Sequence, residues 1–142
     1  MTMDKALVEE YQNAEYVVYA EPEFLMYVDT YCESLKRIMT EKQLAQAAFI
    51  TAYNPYSESL DEQENIKRQT ALIEELREMG LDFIQGIGRD KEALWPGEKG
   101  VLVFNLSNAV ARMLGNKYEQ NAILWIEKDA CPQLLLLDGK KN

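Results

Sequence analysis

The chain of 142 residues contains no histidine. That absence excludes His-based catalytic triads, most zinc sites and the commonest general base near neutral pH. Cysteine is also scarce, since only Cys32 and Cys131 occur and their separation fits neither a metal-binding nor a redox spacing. We therefore expect two free thiols in a reducing compartment, with no metal and no other cofactor.

Long apolar runs and an excess of basic residues are missing as well. No stretch approaches the roughly 20 apolar residues of a membrane helix, so no membrane association is expected. Met1–Glu10 lacks a basic segment followed by an apolar one, which argues against a secretory signal and predicts a cytoplasmic location. The formal charge of −9 disfavours direct nucleic-acid binding but is compatible with a small ligand or a basic protein partner.

The remaining composition is that of a soluble globular protein, with 47% hydrophobic and 27% charged residues. The length corresponds to about one domain. We expect a single domain over residues 1–142, of which 138–142 form a frayed tail.

Hydrophobic periodicity and turn residues predict four helices and seven strands. Capping boxes are expected at Thr30–Glu33 and Ser59–Glu62, a capping serine at Ser107 and a helix end at Gly80. Gly86–Lys99 is predicted to be a long irregular loop. The predicted strands are 16–20, 24–28, 47–53, 81–85, 101–104, 122–126 and 133–137, and the first and third helices cover 4–14 and 60–79.

Between Ala47 and Ile126 the predicted order is strand, helix, strand, strand, helix, strand. This order is typical of the split βαβ pattern of ferredoxin-like folds. We therefore predict an α+β fold with a mainly antiparallel sheet covered by helices. An N-terminal helix-strand-strand-helix unit and one additional C-terminal strand extend the ferredoxin-like core.

Polar residues interrupt the apolar pattern where the strand predicted at Ala47–Tyr53 meets the next helix. In that helix Asn65 and Gln69 fall on the buried stripe, and a buried amide without a partner costs about 1 to 3 kcal/mol. One interpretation is a ligand pocket lined by these amides together with Asn54 and Ser57. The other is that the amides hold the backbone of the Asn-Pro turn and no ligand is present.

The predicted loop Gly86–Glu98 is a second candidate, because loops of this length often bind ligands or act as lids. In it Arg89 can clamp an anionic group and Trp95 can stack on a ring. Alternatively, Arg89 pairs with a neighbouring acidic residue and Trp95 packs on the sheet. The Gly86-x-Gly88 pair is a weak phosphate-binding signal.

Three further positions have two interpretations each. Glu98 is a candidate general base or a solvated loop residue. Gln120 and Asn121 either reach the same pocket, or Asn121 caps the preceding helix. Glu62 is interpreted as a capping residue rather than a catalyst, and no catalytic residue is assigned.

Several short segments share a pattern: Thr51-Ala52-Tyr53-Asn54-Pro55, Ser57, Asn65, Trp95-Pro96-x-Glu98 and Tyr118-x-Gln120-Asn121-Ala122. Together they resemble a bacterial family catalogued as domain of unknown function 3293, over a span expected to run from Tyr16 to Leu137. The chain differs from the family pattern around Trp95, where Gly97 separates Pro96 from Glu98 and Lys99-Gly100 follows where a Ser is expected. The resemblance implies a compact cytosolic domain of a bacterial or phage type and no particular activity.

Three functions remain open at this point. The first is a binding or regulatory module that holds a small polar ligand or a partner segment in the amide-rich pocket, with the Arg89–Glu98 loop as a lid. The second is an enzyme that uses Glu98 or Asp90 with Arg89, with or without magnesium, on a phosphorylated or glycosidic substrate. The third is an acidic interaction protein of the inhibitor or immunity type.

Overall fold

The computed structural model describes residues 5–92 and 96–137. Helices and strands follow one another in these ranges in the predicted order. They are α1 (Lys5–Asn13), β1 (Glu15–Val18), β2 (Phe24–Met26), α2 (Glu33–Glu41), β3 (Ala47–Ile50), a 3-10 turn (Pro55–Ser57), α3 (Glu62–Glu78), β4 (Phe83–Arg89), β5 (Glu98–Phe104), α4 (Asn108–Lys117), β6 (Ala122–Ile126) and β7 (Gln133–Leu136).

The seven strands form one sheet in the order β2-β1-β4-β5-β3-β6-β7, and every neighbouring pair is antiparallel. Successive side chains of a strand point to opposite faces, and β3 shows the consequence. Ala47 and Phe49 belong to one hydrophobic cluster, whereas Ala48 and Ile50 belong to the other. The prediction of an α+β fold with an antiparallel sheet is confirmed.

Helices cover both faces of the sheet. Leu35 of α2 belongs to the first cluster, and Leu72 of α3 and Leu114 of α4 belong to the second. All three side chains are fully buried. The site described below is formed where α1 and the turn after β3 lie beside the sheet. None of the helices in 5–92 and 96–137 is long and apolar enough to cross a membrane.

The sheet is curled, so segments next to its two edge strands meet. Just after β2, the amide of Asp29 donates to the carbonyl of Pro132 at 2.8 Å. The amide of Cys32 donates to the carbonyl of Ala130 at 2.9 Å. Both acceptors lie just before β7, the strand at the opposite edge. A right-handed twist accumulated over seven strands permits this approach of the two edges.

Both predicted capping boxes are wrong. The N-cap of α2 is Cys32, which makes no side-chain capping bond, and Thr30 Oγ1 donates to a nearby carbonyl instead. The N-cap of α3 is Asp61 rather than Ser59, and its carboxylate accepts the amide of Glu64 at 2.9 Å. A carboxylate at the N-cap also interacts favourably with the helix dipole, so Asp61 is the better cap of the two.

The other two predicted helix boundaries are confirmed. Ser107 caps α4, because its Oγ accepts the amide of Val110 at 3.1 Å. Gly80 follows the C-cap of α3 with φ of 72°, the left-handed conformation that suits glycine after a helix.

The predicted irregular loop over Gly86–Lys99 is too long at both ends. Strand β4 continues to Arg89 and β5 begins at Glu98, where the register pairs Gly88 with Glu98. Strand β4 lies between β1 and β5, and β1 approaches it very closely. A Cβ atom on Gly86 would collide with the carbonyl oxygen of Val17 in β1, so glycine is what allows β4 to pair there.

Candidate functional site

The inner face of α3 changes from apolar to amide along its length, as predicted. Leu72 and Leu76 are fully buried in its second half, and Asn65 and Gln69 are only 4% and 5% exposed in its first half. Positions three and four apart share one face of a helix, so all four side chains point toward the sheet. The predicted inward orientation of both amides is confirmed.

Buried amides hold the backbone that follows β3. Asn65 Oδ1 accepts the amide of Asn54 at 2.8 Å, and Gln69 Oε1 accepts the amide of Ala52 at 2.9 Å. Gln120 Nε2 donates to the carbonyl of Tyr53 at 3.0 Å. The side-chain amides therefore bind backbone groups of the segment that leads into the Asn-Pro turn, as the structural interpretation expected.

This turn has an unusual backbone. Asn54, Tyr56 and Ser57 have φ values of 47°, 50° and 64°, although none of them is glycine. Such conformations cost on the order of 1 to 3 kcal/mol each and persist only where the surroundings enforce them. Here Asn65 holds Asn54, while the amide of Tyr56 donates to the carbonyl of Glu119 at 2.6 Å.

The strained turn borders a cavity of about 350 Å³. This volume is near the lower end of the range for small-molecule sites and would hold about a dozen water molecules. Its lining combines carboxylates, tyrosines and amides with apolar side chains. The lining residues are Leu7, Glu10, Tyr11, Ala14, Tyr16, Phe49, Thr51, Tyr53, Asn54, Ser57, Ser59, Leu60, Glu62, Asn65, Gly88, Pro96, Gly97, Glu98, Gln120, Ala122, Ile123, Leu124 and Leu134.

Glu98 is the central acidic group of this cavity. Its Oε2 accepts Nδ2 of Asn54 at 2.7 Å. Burial raises the pKa of the Glu98 carboxyl, and the hydrogen bond from Asn54 opposes that increase in part. Its second oxygen, Oε1, has no hydrogen-bond donor in 5–92 and 96–137 and so remains available to a ligand.

Three tyrosine hydroxyls lie close enough to Glu98 to respond to its charge. Burial raises the pKa of Tyr11, Tyr16 and Tyr53, and the charge of Glu98 adds a smaller increase in each case. The Tyr53 hydroxyl also donates to the carboxylate of Glu62. All three hydroxyls therefore stay protonated at neutral pH. Those of Tyr16 and Tyr53 already donate to the carbonyl of Tyr11 and to Glu62, so toward a ligand they can act as acceptors.

Glycines of β4 and β5 make room for the aromatic wall of the cavity. Gly86 and Gly100 face each other across the two strands, and Cβ atoms built on them would lie 3.3 Å and 2.5 Å from the Phe49 ring. A Cβ on Gly88 would meet the Tyr16 ring at 3.3 Å. The Gly86-x-Gly88 pattern, considered above as a phosphate signal, thus makes room for the rings of Phe49 and Tyr16. These two rings meet edge to face, with their centroids 5.5 Å apart.

Most of the predicted site residues come together, but not all. Five of them line the cavity: Asn54, Ser57, Asn65, Glu98 and Gln120. Gln69 lies behind the wall and binds Ala52, while Asn121 Nδ2 donates to Ser57 Oγ at 3.0 Å.

Arg89 does not belong to the site, contrary to its predicted role as an anion clamp. It is half exposed and pairs with Glu15 at 3.3 Å on the neighbouring strand, so its charge is already matched. Trp95 lies outside the described residues. The predicted lid over Arg89–Glu98 is wrong at both ends, because both residues belong to strands.

Two contributions were missed by the sequence. Leu7, Tyr11 and Ala14 were predicted as one stripe of the first helix but were not assigned to the site. In the structure Leu7 and Tyr11 of α1 and Ala14 just after it all line the cavity. Glu62 was interpreted as a cap, but Asp61 has that role and Glu62 lines the cavity. The only sequence signal for a role of Glu62 in the cavity was that it is an acidic residue at the start of a helix. Across the part of the chain that the structure describes, no group of three or more Cys, Asp or Glu is placed to hold a metal ion.

A comparison with protein-family models matches residues 50–123 to the family described as "Protein of unknown function (DUF3293)". The match covers slightly more than half of the 142 residues. The chain belongs to this family. The DUF3293 match is narrower than the span of Tyr16 to Leu137 expected from the resemblance. It includes Asn54, Glu62 and Glu98, but α1 lies outside it. No curated protein and no solved structure matches the chain.

Proposed function

We propose that this DUF3293 protein is a binding or regulatory module whose cavity holds a small polar ligand. The observation that carries the proposal is the Asn54–Glu98 pair on the cavity wall, where one carboxylate oxygen is bonded at 2.7 Å and the other has no described donor. Glu98 is partly buried, and a carboxylate that loses part of its hydration is costly for folding alone. A ligand that completes its bonding would compensate that cost.

The strained turn supports the same proposal. Asn54 and Ser57 both line the cavity from left-handed backbone positions. Strain of this kind concentrates at sites where side chains must be held in one orientation. The amides of Asn65 and Gln120 then act as positioning groups, which reconciles their backbone bonds with a binding function.

The test is a screen of small polar molecules by amide chemical shifts, followed by a variant that fills the cavity. Ala122→Leu adds volume at a lining position without changing any charge. We expect a ligand that perturbs the lining residues of the natural protein and does not bind Ala122→Leu. Ala109→Leu, which adds the same side chain at an exposed position of α4, is the matched control. Equal binding to both variants would contradict the proposal.

A carboxylate-dependent enzyme is the second candidate. It is favoured by one observation, which is that Glu62 and Glu98 line the same cavity while burial raises the pKa of Glu98. Two carboxylates with different environments are what glycoside hydrolysis requires. Since no described lining residue is Lys or Arg, a glycosidic substrate fits better than a phosphorylated one. Release of a chromophore from aryl glycosides, lost in Glu98→Gln, would support this candidate.

The remaining hypotheses are supported by the amino-acid sequence alone. An acidic interaction protein is supported by the charge of −9 alone. A cytoplasmic location and a bacterial or phage origin are likewise proposals, based on the two free cysteines and the family resemblance. Fractionation of cells that express the tagged chain would test the location.

We also infer that β3, α3, β4, β5, α4 and β6 form a ferredoxin-like core. In support, these strands are adjacent in the order β4-β5-β3-β6 and all antiparallel, and residues of α3 and α4 share one hydrophobic cluster. The split βαβ pattern has this arrangement. An experimental structure in which α3 and α4 lie on opposite faces would refute the inference.

A further inference from the structure

We propose that the cavity selects a small organic cation, an ammonium or guanidinium group on a short apolar body, with Glu98 as its counter-ion. This inference rests on the proposed binding function and specifies the chemical class of the ligand. The partly open cavity of about 350 Å³ defines the site, and its charged and aromatic lining determines which ligands fit.

The charged lining has one sign. Glu10, Glu62 and Glu98 contribute carboxylates, whereas the described lining contains neither Lys nor Arg. Lys99, next to Glu98 in the sequence, is exposed and is not a lining residue, and two arginines of neighbouring elements are engaged elsewhere. Arg89 pairs with Glu15, and Arg68 donates to the carbonyls of Ala52 and Tyr118. An anionic ligand would therefore meet three carboxylates without compensation, and a cation would relieve their repulsion.

Glu98 is placed to act as the counter-ion. Asn54 Nδ2 fixes one of its oxygens at 2.7 Å, which orients the carboxylate and leaves Oε1 without a described donor. Glu98 lies deeper than the exposed side chains of Glu10 and Glu62, so its interaction with a cation is less screened by solvent. A charge-assisted hydrogen bond to an N–H group is the contact this oxygen fits.

The walls next to Glu98 suit an apolar body that carries a positive charge. Tyr16, Phe49 and Tyr53 line the cavity with aromatic rings, and ring faces attract ammonium and guanidinium groups. Ala122 and Leu134 add aliphatic surface. An inorganic cation would leave these apolar walls exposed to water, whereas an organic cation of a few carbon atoms covers them.

The experiment compares probes that share an apolar body and carry a cationic, a neutral or an anionic head group. Benzylamine, benzyl alcohol and benzoate share one ring, and butylamine, butanol and butyrate share one aliphatic chain. Binding is followed by amide chemical shifts of the lining residues at neutral pH. We expect the amine of at least one set to bind about tenfold or more tightly than its alcohol and its acid.

Glu98→Gln then tests the counter-ion directly. Gln keeps the shape of the side chain and an oxygen for Asn54 Nδ2, so the fold should persist, which circular dichroism and a melting curve would verify. We expect the preference for the amine to disappear while binding of the alcohol stays unchanged. Glu62→Gln should reduce the preference less, and Glu74→Gln, on the exposed face of α3, should leave it intact.

The outcomes distinguish a failure of the cation class from a failure of the proposed binding function. If an alcohol or an acid binds as well as its amine and is excluded by Ala122→Leu, the cavity binds ligands but the cation class is wrong. If an amine binds with its preference unchanged in Glu98→Gln, Glu98 is not the counter-ion and the inference is overturned. If no probe perturbs the lining residues, both proposals fail.

Discussion

Asn54 connects α3 to β5 through both ends of one side chain. Its Nδ2 donates to Glu98 Oε2 at 2.7 Å, and its Oδ1 accepts Nδ2 of Asn65 at 2.8 Å. The same oxygen accepts the amide of Leu60 at 3.0 Å. A single amide therefore orients the central carboxylate of the cavity and holds the turn that leads into α3. Four predictions follow from this arrangement and from its neighbours.

Asn65→Ala should destabilise the fold. The substitution removes the acceptor of the Asn54 amide and one of the two donors to Asn54 Oδ1, which keeps the amide of Leu60. Leaving the Asn54 amide unsatisfied costs about 1 to 3 kcal/mol. The free energy of unfolding from urea titrations measures the loss. Gln63→Ala, at an exposed position of the same helix, should change it by less than about 0.5 kcal/mol. Equal effects of the two substitutions would show that the amide network contributes nothing.

Glu98 should make stability depend on pH in a defined direction. Burial raises its pKa in the folded state above the ordinary value of 4.5, so the folded protein holds this proton more tightly than the unfolded chain. The resulting stabilisation is complete below pH 4.5 and is lost as the pH rises through the raised pKa. The neighbouring hydroxyls of Tyr11, Tyr16 and Tyr53 do not titrate in this range, because their pKa values are raised.

Melting temperatures of the natural protein and of Glu98→Gln, measured from below pH 4.5 to neutral pH, test this prediction. The variant should gain relative to the natural protein as the pH rises, because Gln has no charge to bury. Glu74→Gln, which is exposed, serves as the control. A melting-temperature difference, variant minus natural protein, that stays constant or falls as the pH rises would contradict the assigned direction.

Gly100→Ala should disturb the aromatic wall. The added Cβ would lie 2.5 Å and 2.7 Å from two ring carbons of Phe49, so the ring must move. Overpacking of this kind costs about 1 to 3 kcal/mol. Chemical denaturation gives the cost, and amide shifts of the lining residues report the displaced ring. Lys99→Ala, the exposed neighbour in β5, should leave both observables unchanged.

Tyr11→Phe should loosen α1. None of the residues of α1 is buried, and the Tyr11 hydroxyl is bonded to Ser57 Oγ at 3.1 Å. Loss of that bond removes about 0.5 to 1.5 kcal/mol of local stability, so the amides of α1 should exchange with solvent faster while the melting temperature hardly changes. Hydrogen exchange by mass spectrometry measures this. Tyr31→Phe, at an exposed position after β2, is the control. Equal exchange in both variants would show that the bond between Tyr11 and Ser57 does not hold α1 in place.

Parts of the site were predictable because they depend on local periodicity. The inward orientation of Asn65 and Gln69 follows from their spacing to Leu72 and Leu76 on one helix. The same holds for the helix cap at Ser107, which depends on a residue three positions away. The inward orientation of the two amides and the cap were both confirmed. Local rules failed where two local choices competed, as at α3, where Asp61 rather than Ser59 is the cap.

Glu98 was a candidate site residue, but its contact with Asn54 could not be predicted, because it depends on pairing between strands. Its register opposite Gly88 and its hydrogen bond with Asn54 join residues of different elements. The loop predicted over Gly86–Lys99 includes Gly86 and Gly88, and the close approach of the Val17 carbonyl and of the Phe49 and Tyr16 rings explains why glycine occupies strand positions there.

The amino-acid sequence by itself determined the α+β class, the amide face of α3 and the absence of histidine chemistry, since composition and helical spacing are local properties. Tertiary structure alone decided that α1 borders the cavity, that Glu98 lies inside it and that Arg89 lies outside. These three placements depend on which strands pair and how far the sheet curls. Contacts between distant segments set both, and no local pattern encodes them.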